Sequence, residues 1–291
     1  MAESLVNTKR RINTIKSTEK ITKAMKLVAS VKYQRWKKYY DDNLFYTSAM
    51  KDTLSKLLTE EFTSDEKKFP LFHESDSESI LYVVISSTLG LCGSYNYNLF
   101  KALDPLLKDD DELILIGNKG LIHYQNKQYK YNDEYVDILD KFSYSYVKRL
   151  RHYIIREFKS GKYKKVMFVY TRYQNSITFV PTLHQLLPFD KEIEGIKESD
   201  DIATPLFEPS QEELINSILP HYIDATIYNK LIETNLSELA SRRNAMDSAN
   251  DSADKILNQL LLDYNKQRQN AITQEITEVV AGANAGRKKD E

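Results

Sequence analysis

Glycine, proline and cysteine are scarce in this chain of 291 residues: eight, seven and one. The single cysteine, Cys92, excludes an intramolecular disulfide framework and fits a reducing compartment. So few glycines leave little material for a backbone cradle around phosphate groups. The five histidines (His73, His123, His152, His184, His221) are too scattered for metal-ligand spacing, so no metal site is expected. No run approaches the roughly 20 apolar residues that span a bilayer. The N-terminus also lacks the apolar core of a signal peptide. Together these features predict a protein of the bacterial cytosol or of its membrane face.

Acidic residues are missing from one segment. The formal net charge is −1, yet residues 1–40 carry eleven Lys/Arg against two Asp/Glu. So one-sided a stretch points to an acidic partner more than to a merely solvated helix face.

Helix breakers are missing from both ends. Residues 1–58 contain neither Gly nor Pro, and none occurs between Pro220 and Gly282. Over 211–284 apolar residues alternate in steps of four and three: Ile218, Tyr222, Ala225, Ile232, Leu236, Leu239, Met246, Ala253, Leu257, Leu260 and Tyr264. Asn229, Arg243 and Asn250 fall at the skipped positions. This is a coiled-coil seam. Roughly 65 residues at about 1.5 Å each make a helix near 100 Å long, against a radius of gyration of about 19 Å for a compact globule of this length. The helix is therefore expected to project from a body. At the other end, Leu5, Ile12, Ile15, Ile21, Met25, Val28 and Val31 form a less regular stripe, which suggests a packing face that drifts around the helix. An antiparallel pair follows if both ends enter and leave one central body.

The middle reads differently. Ser79–Ser86, Glu112–Gly117 and Val166–Thr171 are short aliphatic runs that suit strands covered on both faces. Amphipathic segments around Asn98–Leu107, Lys119–Asn126 and Ser143–Ser160 lie between them. Ile177–Val180 and Leu183–Leu187 add a further strand or two. The fold class is thus α/β, with a long antiparallel two-helix coiled coil of the terminal helices and a central Rossmann-like α/β domain with a largely parallel sheet. The expected division is 1–58 helix, 59–78 linker, 79–190 α/β domain, 191–210 acidic connector and 211–291 helix.

Candidate chemistry is thin. Gly90–Gly93 (GLCG) follows the first strand, where a phosphate loop would sit, but lacks the endings of a P-loop or a dinucleotide fingerprint. A tight turn with a buried Cys92 is the better reading. Asp109-Asp110-Asp111-Glu112 cannot converge on one ion and reads as a solvated turn. No paired carboxylates, nucleophile–base arrangement or metal cluster emerges, so no catalytic, cofactor or metal residue is assigned.

Five segments resemble one family, in order along nearly the whole chain. KITKAMKLVAS (Lys20–Ser30), GLCGSYNYN (Gly90–Asn98), Tyr170–Pro188, Phe207–Ser241 and Met246–Ala285 are similar to the gamma subunit of F-type rotary ATP synthases. Thr88-Leu89 stands where that family usually has Asp-Arg, and Lys26 and Asp247 carry charges that many members place differently. The resemblance implies a rotor inside a ring of three alpha and three beta subunits, which own the nucleotide sites. It also implies an epsilon subunit and a membrane ring of c subunits as neighbours, with no cofactor and no nucleotide bound by this chain. Its site residues would be Arg268, Gln269, Thr273 and Glu275 at a catch on beta, and Lys23, Met25 and Arg242 at the lever of beta. The tip Val279–Ala285 would be a bearing. A gamma-like shaft of a dedicated ATP-hydrolysing complex is the alternative within the family. Outside it, a coiled-coil nucleic-acid-associated protein and an α/β nucleotide-dependent enzyme lack, respectively, a DNA-reading module and a phosphate loop.

Overall fold

The computed structural model describes residues 2–58, 69–139, 142–189, 208 and 210–287, with side chains from 5 to 282 within those ranges. The connector expected at 191–210 lies outside the described residues except for Glu208 and Ser210, as does 59–68 of the linker. The chain forms two compact units, Ala29–Arg242 and Met1–Val28 with Arg243–Glu291. Two long helices, α1 (Ala2–Leu57) and α5 (Gln211–Arg287), contribute to both.

The Ala29–Arg242 unit is built on a five-stranded sheet. Its strands are β1 (Ile80–Ile85), β2 (Glu112–Ile116), β3 (Lys130–Asn132), β4 (Lys165–Tyr173) and β5 (Phe179–Leu187). The spatial order is β3-β2-β1-β4-β5, with β1, β2, β3 and β4 parallel and β5 antiparallel to β4. The helices between strands are α2 (Tyr95–Leu103), α3 (Asn118–Tyr124) and α4 (Tyr144–Lys159). β3 was not anticipated. Its three residues carry no aliphatic run, and it is an edge strand.

Alternation along the strands sorts side chains to two faces. Leu81, Val83, Ile85, Ile114, Ile116 and Phe168 pack with Val147, Leu150 and Ile154 of α4, and with α1 and α5 through Leu54, Leu57, Ile215, Leu219 and Ile223. Tyr82, Val84, Leu113, Leu115 and Val169 face Leu99, Phe100 and Leu103 of α2. With both faces covered, the strands are aliphatic throughout. Residues 69–72 also enter the core: a 3-10 turn, Pro70–Phe72, buries Leu71 and Phe72 beside Phe69.

One expectation is corrected within the acidic run. Asp109 and Asp110 are exposed, but Asp111 is buried. Its Oδ1 accepts from the backbone N–H of Ile80 at 2.8 Å and its Oδ2 from that of Lys108 at 2.8 Å. It satisfies the first N–H of β1, where no strand residue is available to do so.

The face of α1 is also corrected. Its buried positions, 8, 12, 29, 54 and 57, fall on one alternation of four and three that also takes in the half-buried positions 15, 19, 22, 26, 33, 36, 40, 43, 47 and 50. The face does not drift. Ile21, Val28 and Val31 point outward, and Thr8, Glu19, Thr22, Lys26, Asn43 and Thr47 occupy seam positions.

Candidate subunit-contact surfaces

In the Met1–Val28 and Arg243–Glu291 unit the two helices run antiparallel. Thr8 Oγ1 donates to Gln267 Oε1 at 3.1 Å, Thr22 to Asn250, and Lys26 pairs with Asp247. Climbing from 8 to 26 on α1 thus descends from 267 to 247 on α5. Lys26 and Asp247, the two unusually placed charges, neutralise each other. The apolar part of the seam is modest: Ile12, Met246, Ala253 and Leu260 are buried. The outside is apolar in compensation. Val6, Ile21, Leu27 and Val28 on α1 are exposed, as are Ile256, Leu262, Ile272, Ile276, Val279 and Val280 on α5. Thr8, Thr22, Lys26 and Asn250 share the seam with these apolar residues, and outside it exposed apolar side chains stand among exposed Lys and Arg. Exposed apolar surface of this kind marks an interface.

Charge is divided between the helices. Residues 5–28 carry seven Lys/Arg and one Glu, and residues 243–282 carry four Lys/Arg and six Asp/Glu. Lys23 is exposed and pairs with Glu19 one turn earlier, which raises its pKa. Met25 is half-buried. Arg268, Gln269, Thr273 and Glu275 are all exposed. At about 100° per residue they occupy less than half the helix circumference, with Arg268 and Glu275 bordering the seam positions Tyr264 and Ala271, and Gln269 and Thr273 farther round. Thr273 Oγ1 donates back to the Gln269 backbone O at 2.9 Å.

Arg242, in the Ala29–Arg242 unit, is buried and engaged by its own chain. Its Nη2 lies 2.6 Å from Glu238 Oε1, and both side chains are only 8% exposed. The same guanidinium donates to Leu89 O at 3.1 Å and to Gly90 O at 3.3 Å. Ser241 Oγ donates to Cys92 O at 2.8 Å. The Gly90–Gly93 segment is a tight turn with Cys92 buried, as its sequence suggests, and burial raises the Cys92 thiol pKa. Glu238 escaped the sequence reading, although its spacing of four from Arg242 on a helix was the available signal.

This turn lies at the carboxyl ends of β1 and β4, where strand order reverses and open α/β sheets commonly bind ligands. Here α5 and Tyr95 fill that place. Tyr95 is buried and donates to Thr234 O at 3.2 Å, and Glu233 Oε1 accepts from the Tyr173 N–H at 3.2 Å. Burial pushes the Tyr95 hydroxyl pKa well above its ordinary value. The turn offers α5 three carbonyl oxygens, whereas a phosphate cradle offers N–H groups. Among the described residues, no group of three His, Cys, Asp or Glu could hold a metal, and no helix is long and apolar enough to cross a membrane.

A family model described as ATP synthase matches residues 4–285. The ATP synthase gamma chain of Mycoplasma mobile is 38% identical over 94% of this chain and 96% of its own length. That of Mycoplasma genitalium is 37% identical over 95% and 98%. The gamma chain of Acetobacterium woodii, named sodium ion specific, is 31% identical over 98% and 99%. In fold, the chain is similar to one in the mitochondrial ATP synthase of Euglena gracilis, with a TM-score of 0.67 over 100% of this chain and 97% of that one at 19% identity.

Proposed function

The chain belongs to the ATP synthase gamma-chain family, and from that premise we infer that it is the central rotor shaft of an F-type ATP synthase or ATPase. It couples rotation driven by ion flow through the membrane ring to ATP synthesis or hydrolysis at the beta subunits. Its partners are three alpha and three beta subunits, an epsilon subunit and the ring of c subunits. The physics is linkage: each rotor angle favours a different beta conformation and so a different nucleotide affinity.

The observation that supports this reading is the antiparallel helix pair whose outer surface exposes apolar side chains among charged ones. A rotor needs a surface that a surrounding ring can grip unequally around its circumference. The basic α1 side and the acidic α5 side supply that inequality.

The rotor is non-catalytic and binds no nucleotide itself. The filled crevice and the carbonyl-bearing turn support this. It works at the cytoplasmic face of the bacterial membrane as a peripheral part of a membrane-associated complex. Arg268, Gln269, Thr273 and Glu275 form the catch, with the Arg268 fork making charge-assisted bonds to beta in one rotary position and releasing them in the next. Lys23 and Met25 meet the lever of beta, and Arg242 serves that contact from within. Val279–Ala285 is the bearing. Its exposed Val279 and Val280 bring no charge that must be desolvated as it turns.

Arg268→Ala in the assembled complex is expected to lower coupled ATPase turnover by about tenfold, the worth of one charge-assisted bond, at unchanged complex yield. Wild-type turnover in a fully assembled variant would overturn the catch assignment.

A further inference from the structure

The turn after β1 combines an exposed apolar surface with three engaged backbone carbonyls. Leu89 and Leu91 are 64% and 63% exposed. Leu91 is held at φ 62°, a left-handed conformation that leucine adopts only under constraint. The constraint is visible. Leu89 O accepts from Ser87 Oγ at 2.7 Å as well as from Arg242. Gly90 O accepts from Arg242, and Cys92 O from Ser241. Asn96 ties the base of the turn through Ser87, accepting from its N–H at 3.0 Å and donating to its hydroxyl at 2.7 Å. Ser241 and Arg242 thus tether the turn to α5 through three of its carbonyl oxygens. Arg242 can stay buried only because the Glu238 carboxylate, on the same face one turn earlier, neutralises it.

We infer that Glu238 is a positioning residue for rotary coupling: its ion pair with Arg242 holds the guanidinium inward on the Leu89 and Gly90 carbonyls, and this fixes Leu89 and Leu91 in the shape that meets the lever of beta. The inference rests on the rotor reading above and adds a division of labour to it. The leucines touch the partner, Arg242 shapes them, and Glu238 holds Arg242. Without the Glu238 charge an unpaired buried guanidinium swings to water, the two carbonyls are released, and Leu91 relaxes from its left-handed conformation. Force applied to the leucines then deforms the turn instead of reaching α5.

The test is a double-mutant cycle in the intact complex, with ATPase turnover and ATP-driven ion transport as readouts. Glu238→Gln and the pair Leu89→Ala/Leu91→Ala are each expected to lower coupled turnover by about tenfold. The combined variant is expected to be no worse than the leucine pair alone, because Glu238 acts only through the leucines. A second readout is the thiol of Cys92, buried beneath the turn. Its labelling by maleimide should be slow in the native complex and accelerate in Glu238→Gln. Additive losses in the combined variant, or unchanged turnover in Glu238→Gln, would overturn the positioning role. If Glu238→Gln fails to assemble, Ser241→Ala removes the Cys92 tether without unpairing a charge and takes its place in the cycle. Non-additive loss with the leucine pair then supports the positioning role, and additive loss or unchanged turnover overturns it. Arg268→Ala is the reference. Loss there with none in Glu238→Gln overturns this inference and leaves the catch assignment standing, whereas no loss in either overturns both of these and leaves the rotor reading to its own evidence.

Discussion

Single side chains show how little of a contact can be read from its own neighbourhood in sequence. Arg242 was legible as a basic residue in a resembling motif, but its acceptors lie 152 and 153 positions away in a turn whose carbonyls carry no residue-type signal. Asp111 was hidden among identical neighbours, and only the unpaired N–H of Ile80 singles it out. Glu112 next to it allows a prediction. Burial by itself raises its pKa, but bonds from Lys162 Nζ at 2.8 Å and Tyr163 Oη at 2.7 Å outweigh that and hold it below its ordinary 4.5. A depressed folded pKa contributes stability that is complete above the unfolded value and is lost as pH falls through the folded one. The thermal midpoint of the full-length chain should therefore drop below pH 4.5 more steeply than that of Glu112→Gln, which should be less stable at neutral pH. Parallel melting curves for the two proteins from about pH 7 to about pH 3 would contradict this.

For helices and strands, legibility depended on whether apolar character and burial coincide. They coincide in the strands, covered on both faces, and over most of α5. They part company on α1, where counting apolar residues found Ile21 and Val28 although the seam belongs to Thr22 and Lys26. A heptad of burial survives there without a heptad of hydrophobicity, because several apolar side chains stand outside the seam among the Lys and Arg. It follows that the pair is held below its attainable stability. An Asn at a seam position sacrifices stability for register. Asn250→Leu should strengthen the pair by about 1 kcal/mol. Amide exchange over residues 5–28 in the full-length chain should then slow roughly fivefold. Exchange that stays the same or quickens would show the polar seam to be no concession.

Across the whole chain, the fold class followed from aliphatic runs between amphipathic segments, framed by two segments free of Gly and Pro. What composition could not show is that the sheet's customary ligand crevice would be filled from within. Residues of α5 and Tyr95 occupy it, far from β1 in sequence. The expectation that follows is the absence of a binding isotherm. Calorimetric titration of the full-length chain with Mg-ATP should show only heat of dilution. A saturable heat with about one nucleotide per chain would mean that Tyr95 yields its place, and would reopen the assignment of chemistry to other subunits.

On α5, Ala271 is the last residue with a half-buried side chain. From Ile272 to Gly282 every described side chain is exposed while the helix continues. An exposed helical stretch of about this length is marginal in water, and on the proposed rotor reading a surrounding ring lends it order. Such a ring meets a cylinder against which no other described side chain packs. As the cylinder spins, it has no companion to drag and no groove to lock into, and so it can serve as a pivot while the paired stretch behind it carries the load.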